Sequence, residues 1–327
     1  MRSRTAGDND RLQRVLAGLR RYQEAPRPPQ QPPMPALAAR LGASLRDYGG
    51  SGPDILFIPS LINPPTVLDL QPRSLLRWLA TQGRRVLLLD WGWPGEDRRD
   101  LSVAGHVEQI LLPLMAELQS PPDLAGYCLG GTMAAAAAQI GAARSLTLIA
   151  APWHFSCFGE DERRNLKALW EGSRALSDRL GVLPMEVLQC AFWSLDPERT
   201  VAKFEEFGRA DEEAARSFMT LEDWANDGPP LSHAAAREML EDFFGADLPG
   251  GGGWSVGGGV IDPAALPCPL LNIVSTTDAI VPAASAVQAG ERLDLARGHV
   301  GMIVGSQAAA ELWHPLAAWL SRVSPTC

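Results

Sequence analysis

The stretch Asp123-Leu-Ala-Gly-Tyr-Cys-Leu-Gly-Gly-Thr132 places one thiol between two glycines, Gly126 and Gly130, each two positions away. An apolar run precedes it and an alanine-rich run follows. That pattern is a nucleophile elbow, in which a strand turns sharply into a helix and only small residues fit beside the corner. Here Cys128 stands where a hydrolase would carry serine. At a helix N-terminus the positive end of the helix dipole favours negative charge on its sulfur. The Leu129 N–H would face an oxyanion, and a second donor is expected from the loop after the Ile55–Pro59 run, where Ile62 is assigned. A buried structural cysteine in an alanine- and glycine-rich chain is the competing reading, so the partners decide.

The chain has five histidines: His106, His154, His233, His299 and His314. In a fold built around such an elbow the order is nucleophile, acid, histidine, with the acid after a late strand. His106 precedes Cys128, His154 and His233 fall in or beside a helix-rich insertion, and His314 sits in the helical ELWHPLAAWL. His299, in LARGHVG, follows a glycine in a loop after an apolar stretch, and Asp278 ends the run LLNIVSTTD. Read singly, Asp278 could be a turn residue and His299 a loop histidine. Together with Cys128 they are an ordered nucleophile, orienter and base.

The elements that must position these groups follow from periodicity. The runs at Ile55–Pro59, Arg85–Trp91, Asp123–Tyr127, Ser145–Pro152 and Cys268–Asp278 are short and apolar, as buried parallel strands are. Amphipathic helical segments at Pro72–Gln82, ended by Gly83, at Val103–Leu118 and at Thr132–Ile140 alternate with them. The expected fold is α/β, a mostly parallel doubly wound sheet of the α/β-hydrolase kind with a helical cap insertion. Its expected division is an N-terminal amphipathic helix and Pro-rich linker (1–35), a first α/β core segment with the elbow (36–152), the cap (153–250) and a second α/β core segment with Asp278 and His299 (251–327). Leu12, Val15, Leu16, Leu19 and Tyr22 give the first helix an apolar stripe, for packing on its own domain or for docking a partner. The glycine run Pro249–Val260 reads as a flexible loop; it lacks the strand-before, helix-after setting of a phosphate-binding loop.

Composition limits the alternatives. With 327 residues, 46% hydrophobic and 20% charged, the chain can bury a substantial core. A net charge of −9 offers no general attraction to nucleic acid or anionic lipid. Five cysteines (Cys128, Cys157, Cys190, Cys268, Cys327) without a CxxC pair or a histidine at ligand spacing point to a reduced, cytoplasmic protein with no metal site. No apolar run approaches the length that spans a bilayer.

On GYCLGGT, the preceding PSLINPPTVLDLQPRSLLRWLATQGRRVLLLDWGWP, LNIVSTTDAIVP, RGHVG and the insertion segment LEDWANDGPPLSHAAAREML, the sequence resembles the polyhydroxyalkanoate (PHA) synthases, particularly their short class III catalytic subunit. The likeness runs from about Ile55 onward. It implies 3-hydroxyacyl-CoA substrates, a growing polyester chain carried on Cys128, catalysis by Cys128, Asp278 and His299, and release of CoA without any cofactor. It also implies association with polyester granules and either a second synthase subunit or a homodimer. Ala279 departs from the family, whose members commonly carry a charged residue or histidine there. The aromatics Trp153, Phe155, Phe158, Trp170, Phe192 and Trp193 could wall off a dry acyl channel or be ordinary core. A thioesterase or polyester depolymerase on the same scaffold, or an inactive granule-associated protein, are the alternatives to a polymerising acyltransferase.

Overall fold

The computed structural model describes residues 5, 7–27 and 31–324; residues 28–30 of the Pro-rich linker and Cys327 lie outside them. Eight strands form one sheet: β1 (Ala36–Arg40), β2 (Ala43–Asp47), β3 (Asp54–Ile58), β4 (Arg85–Asp90), β5 (Asp123–Tyr127), β6 (Ser145–Ile149), β7 (Leu270–Ser275) and β8 (Glu291–Leu295). Their order is β1-β2-β4-β3-β5-β6-β7-β8. The β1–β2 and β2–β4 pairs are antiparallel and all others parallel, so the expected doubly wound α/β sheet is present.

The helices include α1 (Asn9–Glu24), α2 (Leu75–Ala80), α3 (Leu129–Ile140), α4 (Glu160–Leu180), α5 (Met185–Leu195), α6 (Pro197–Phe207), α7 (Glu212–Asn226) and α8 (His314–Val323), with shorter helical segments at 233–243 and Gly301–Val304. A further helical segment spans 103–115 with a π turn at Val107–Leu111. Every residue of β3, β5 and β6 is buried, which is why these strands read as unbroken apolar runs. Between the parallel strands the chain crosses over through helices on both faces, and two large apolar clusters result. One contains Leu56, Leu124 and Met133; the other contains Phe57, Tyr127, Met302 and Trp319. Cys128 packs against both.

Helices α4–α7 lie in the insertion between β6 and β7. Trp153, Phe155, Phe158 and Trp170 are buried in the first cluster, Phe192 is half-buried, and Trp193 is exposed, so most of these aromatics are packing residues. The glycine run differs from the expected loop. Ser255–Val256 pairs with Gly259–Val260 in a tight hairpin, and Trp254 before it is buried with its indole N–H donating to Glu238. The glycines before it are held as well, by Gly250 donating to the Asp247 carboxylate and Gly253 to the Leu248 carbonyl.

Helix α1 packs on the insertion, consistent with a helix that serves its own chain. A Cβ at Gly18 would lie 1.8 Å from the Phe204 carbonyl oxygen, so the α1–α6 crossing needs glycine there. Val15, Val201 and Phe204 form the buried centre of the contact. Arg14 meets Glu205 at 2.6 Å, and the Tyr22 hydroxyl donates to Asp223 at 2.5 Å. Asp223 precedes Trp224, whose indole donates to the Pro64 carbonyl in the loop after β3.

At the end of the sheet away from the elbow, Arg84 and Asp123 form an ion pair at 3.0 Å with side-chain exposures of 2% and 0%. Arg84 also donates to the Ser324 carbonyl after α8, and the Ser145 hydroxyl donates to Asp123. Burial raises the Asp123 pKa and lowers that of Arg84, each partner opposing the shift of the other. Removing one member of such a pair strands the other charge. Arg84→Met is therefore expected to cost about 3–5 kcal/mol of stability, read from urea denaturation monitored by tryptophan fluorescence.

Candidate active site

Cys128 joins β5 to α3 with φ 56° and ψ −133°, a backbone conformation that L-residues rarely adopt. Its N–H is fixed by the Ile149 carbonyl at 3.0 Å, and its carbonyl accepts from Gly131 at 2.8 Å. The flanking glycines are required by contact distances. A Cβ at Gly130 would lie 2.1 Å from the Ile58 carbonyl oxygen, and one at Gly126 would lie 2.4 Å from Gly131 Cα. The elbow thus brings α3 against the ends of β3 and β5 backbone to backbone.

Asp278 follows β7 and His299 follows β8, adjacent parallel strands whose ends are tied by a Thr276 N–H bond to the Leu295 carbonyl at 2.8 Å. This pairing brings residues 21 positions apart to 2.5 Å, His299 Nδ1 to Asp278 Oδ2. The other carboxylate oxygen, Oδ1, accepts the N–H groups of Ile280 at 2.7 Å and Val281 at 3.1 Å, which fixes the carboxylate's orientation. The Cys128 side chain lies near enough to the His299 ring to act on its charge. With Nδ1 engaged by Asp278, Nε2 is the nitrogen left for the sulfur. The side chains of His299 and Asp278 are 6% and 0% exposed.

Burial disfavours the charged imidazole, but the influence of Cys128 together with the charge and hydrogen bond of Asp278 overcomes it, so the His299 pKa is raised well above its ordinary 6.5. The arrangement therefore favours the charged imidazole beside Cys128 and can move a proton along that contact.

The structure brings Cys128, Asp278 and His299 together and places Leu129 at the first position of α3, where its N–H has no intrahelical carbonyl to bind. Ile62 lies in the loop after β3. Its N–H donates to Ser60 Oγ at 3.0 Å, because the serine two residues back folds over it. The neighbouring Leu61 N–H takes part in no hydrogen bond among the described residues. Periodicity does not separate two adjacent apolar residues, although the serine two before Ile62 is a usable signal. The remaining histidines are elsewhere: His106 is buried with Nδ1 at 2.8 Å from the Ser102 carbonyl, and His233 pairs with Ser177 at 3.1 Å. Among the described residues no group of three or more His, Cys, Asp or Glu side chains is arranged to hold a metal, and no helix is long and apolar enough to cross a membrane.

In overall structure the chain matches a monoacylglycerol lipase from Paleococcus ferrophilus (TM-score 0.54, 14% identity, 86% of this chain and 100% of that one). It also matches the α/β-hydrolase GrgF from Penicillium (TM-score 0.53, 17% identity, 86% and 94%). It is an α/β-hydrolase-fold protein. No protein-family model matches the sequence. In sequence it is similar to the polyhydroxyalkanoate synthases over most of its length. Identity to the poly(3-hydroxyalkanoate) polymerase subunit PhaC of Haloferax mediterranei is 29% over 291 residues, covering 83% of this chain but 59% of that protein. The corresponding subunit of Thiocystis violacea is 26% identical over 292 residues (83% and 81%), and that of Allochromatium vinosum 27% over 289 (82% and 80%).

The raised pKa of His299 has a measurable sign. An imidazole whose folded pKa exceeds its unfolded value stabilises the fold fully below the unfolded value of 6.5, and this contribution is lost as pH rises through the folded pKa. In ring-proton NMR titrations, Asp278→Asn and Cys128→Ala are each expected to move the His299 titration downward, the latter further because the Cys128 charge is the larger opposing influence. A titration unmoved in both variants contradicts the pairing.

Proposed function

We propose that this chain is an acyltransferase that polymerises 3-hydroxyacyl units from CoA thioesters into polyhydroxyalkanoate, releasing CoA. The observation that carries the reading is buried His299 held between Asp278 and Cys128, in a chain similar to named polymerase subunits.

In this reading the Cys128 thiolate attacks the thioester carbonyl, and the N–H groups of Leu129 and Leu61 receive the oxyanion. Collapse breaks the bond to CoA sulfur and leaves the acyl group on Cys128. The departing sulfur takes the imidazolium proton from His299, so free CoA leaves as the thiol. One thioester has replaced another, and the acyl enzyme keeps its reactivity towards an alcohol. His299, now neutral, accepts the proton of a 3-hydroxyl as that oxygen attacks the acyl-cysteine. An ester forms and the thiolate–imidazolium pair returns. Asp278 keeps the imidazole in the tautomer and orientation both half-reactions need. A thiol suits this cycle because the oxoester product is lower in energy than the thioester it came from. No cofactor or metal enters the scheme.

The expected partners are 3-hydroxyacyl-CoA, the growing polyester and the surface of a cytoplasmic polyester granule, with a second synthase subunit or a second copy completing the enzyme. Support for a water-poor site comes from the buried His299 and Asp278 side chains and from half-buried Cys128 packing against both apolar clusters, which disfavours water as the competing acceptor.

Purified protein incubated with 3-hydroxybutyryl-CoA, with and without added PHA synthase partner subunit, is expected to release CoA and yield polymer. Free 3-hydroxybutyrate instead of polymer would make the chain a thioesterase. Cys128→Ala and His299→Ala are each expected to lose about 10⁴-fold in rate. CoA release that continues unchanged in Cys128→Ala would sink the assignment.

A further inference from the structure

Tyr127, the last residue of β5, lies immediately before the elbow cysteine and is almost wholly buried, at 3% exposure. Its ring faces the His299 imidazole with centroids 4.9 Å apart and planes tilted by 32°. Its hydroxyl donates to the main-chain carbonyl of His299 at 3.2 Å. One side chain therefore touches both the ring and the backbone of a histidine 172 positions later in sequence. No other aromatic pair in the described residues includes His299.

We infer that Tyr127 is a positioning residue for His299: its ring holds the imidazolium by a cation–π contact, and its hydroxyl anchors the loop that carries it. The inference rests on the reading that Cys128 and His299 react as a pair. An aromatic face within about 6 Å of a cation attracts it, the more so where water is excluded. The contact favours the charged imidazole and weakens when the proton leaves. The hydroxyl bond is independent of that charge, since the His299 carbonyl accepts it in either state. Tyr127 also remains a neutral donor: burial, then the nearby charges of Cys128 and Asp278, push its own ionisation well above the usual range. The two contacts divide by chemistry, which gives them separable signatures.

The position is structurally determined. Tyr127 pairs in register with Ile149 on β6, so its side chain leaves the sheet into the cluster that also holds Met302 and Ile303 of the helical turn just beyond His299. The strand that ends in the nucleophile thus also fixes where the base can stand.

The test is the NMR titration of the His299 ring in the full chain, with Cys128 alkylation by iodoacetamide followed across the same pH range. Tyr127→Leu, lacking ring and hydroxyl, is expected to lower the His299 titration by about 0.5–1 pH unit and to shift alkylation towards alkaline pH. Tyr127→Phe keeps the ring and is expected to restore both profiles, while losing roughly threefold to tenfold in CoA release through the missing anchor. Tyr127→Met fills more of the vacated volume and replaces the leucine variant should that one fail to fold. Val86→Ala, in the same apolar cluster but remote from His299, is the comparator for plain destabilisation and should leave the titration in place.

A leucine or methionine variant that folds and titrates as the parent does overturns the inference. So does a phenylalanine variant displaced as far as the leucine one. Neither the titration nor the alkylation profile, on which the inference stands or falls, uses an acyl-CoA, so failure of polymer formation in the parent would count against the proposed function alone.

Discussion

The packing of α3 onto the sheet at the elbow is a contact between backbones, and most of the active region depends on how close it is. A Cβ at Gly130 would collide with the Ile58 and Pro59 carbonyls and one at Gly131 with the Ala151 methyl, so neither helix position admits a side chain of its own. That approach forces Cys128 to a positive φ and lifts its side chain off the sheet. A strained residue of this kind costs on the order of 1–3 kcal/mol and persists only where its surroundings over-determine it. Here they do: β5 is buried on both faces, flanked by β3 and β6, and capped by Cys128 N–H bonding to Ile149.

The same constraint explains why so much of the site is legible in the sequence. A backbone contact can be made only by glycine, and glycine at fixed spacing around one thiol is visible without a structure. Asp278 is equally readable, since it ends an apolar run, and His299 emerges because His106 precedes the nucleophile, His154 and His233 fall in or beside the insertion and His314 sits within a helix. Proximity itself is not readable. Asp278 and His299 meet because β7 and β8 are adjacent and parallel, and β8 leaves Glu291, Arg292 and Asp294 in solvent. An edge strand half covered by neighbours gives no continuous apolar signal, and charged residues are what such edges carry. The antiparallel β1 and β2 are hard to see for a related reason: Ala36–Arg40 is alanine-rich and mostly exposed.

Donor assignment in the loop after β3 needs knowledge of which N–H a serine will capture, a question decided over two residues and a single hydroxyl. The hairpin at Ser255–Val260 depends on a tryptophan partner, Glu238, that precedes it on another element. Tyr127 reads in sequence only as the end of a buried strand; nothing local discloses that its outer face is filled by the histidine of the site. Elements held by local sequence can be foreseen, and those held by distant contacts cannot.

Helix α1 adds an order of events. Its partners, Phe204, Glu205 and Asp223, are about 190 to 200 residues further along the chain. On a ribosome that extends the chain by about 5–20 residues per second, a finished first helix waits on the order of ten seconds or more before those partners exist. During that interval its apolar stripe, Val15 with Leu19 and Tyr22, has no surface of its own to cover. Arg11, Arg14 and Arg21, which in the finished fold bond to Glu198, Glu205 and the Phe207 carbonyl, border that stripe, so until the insertion arrives the same three cations stand in water beside it.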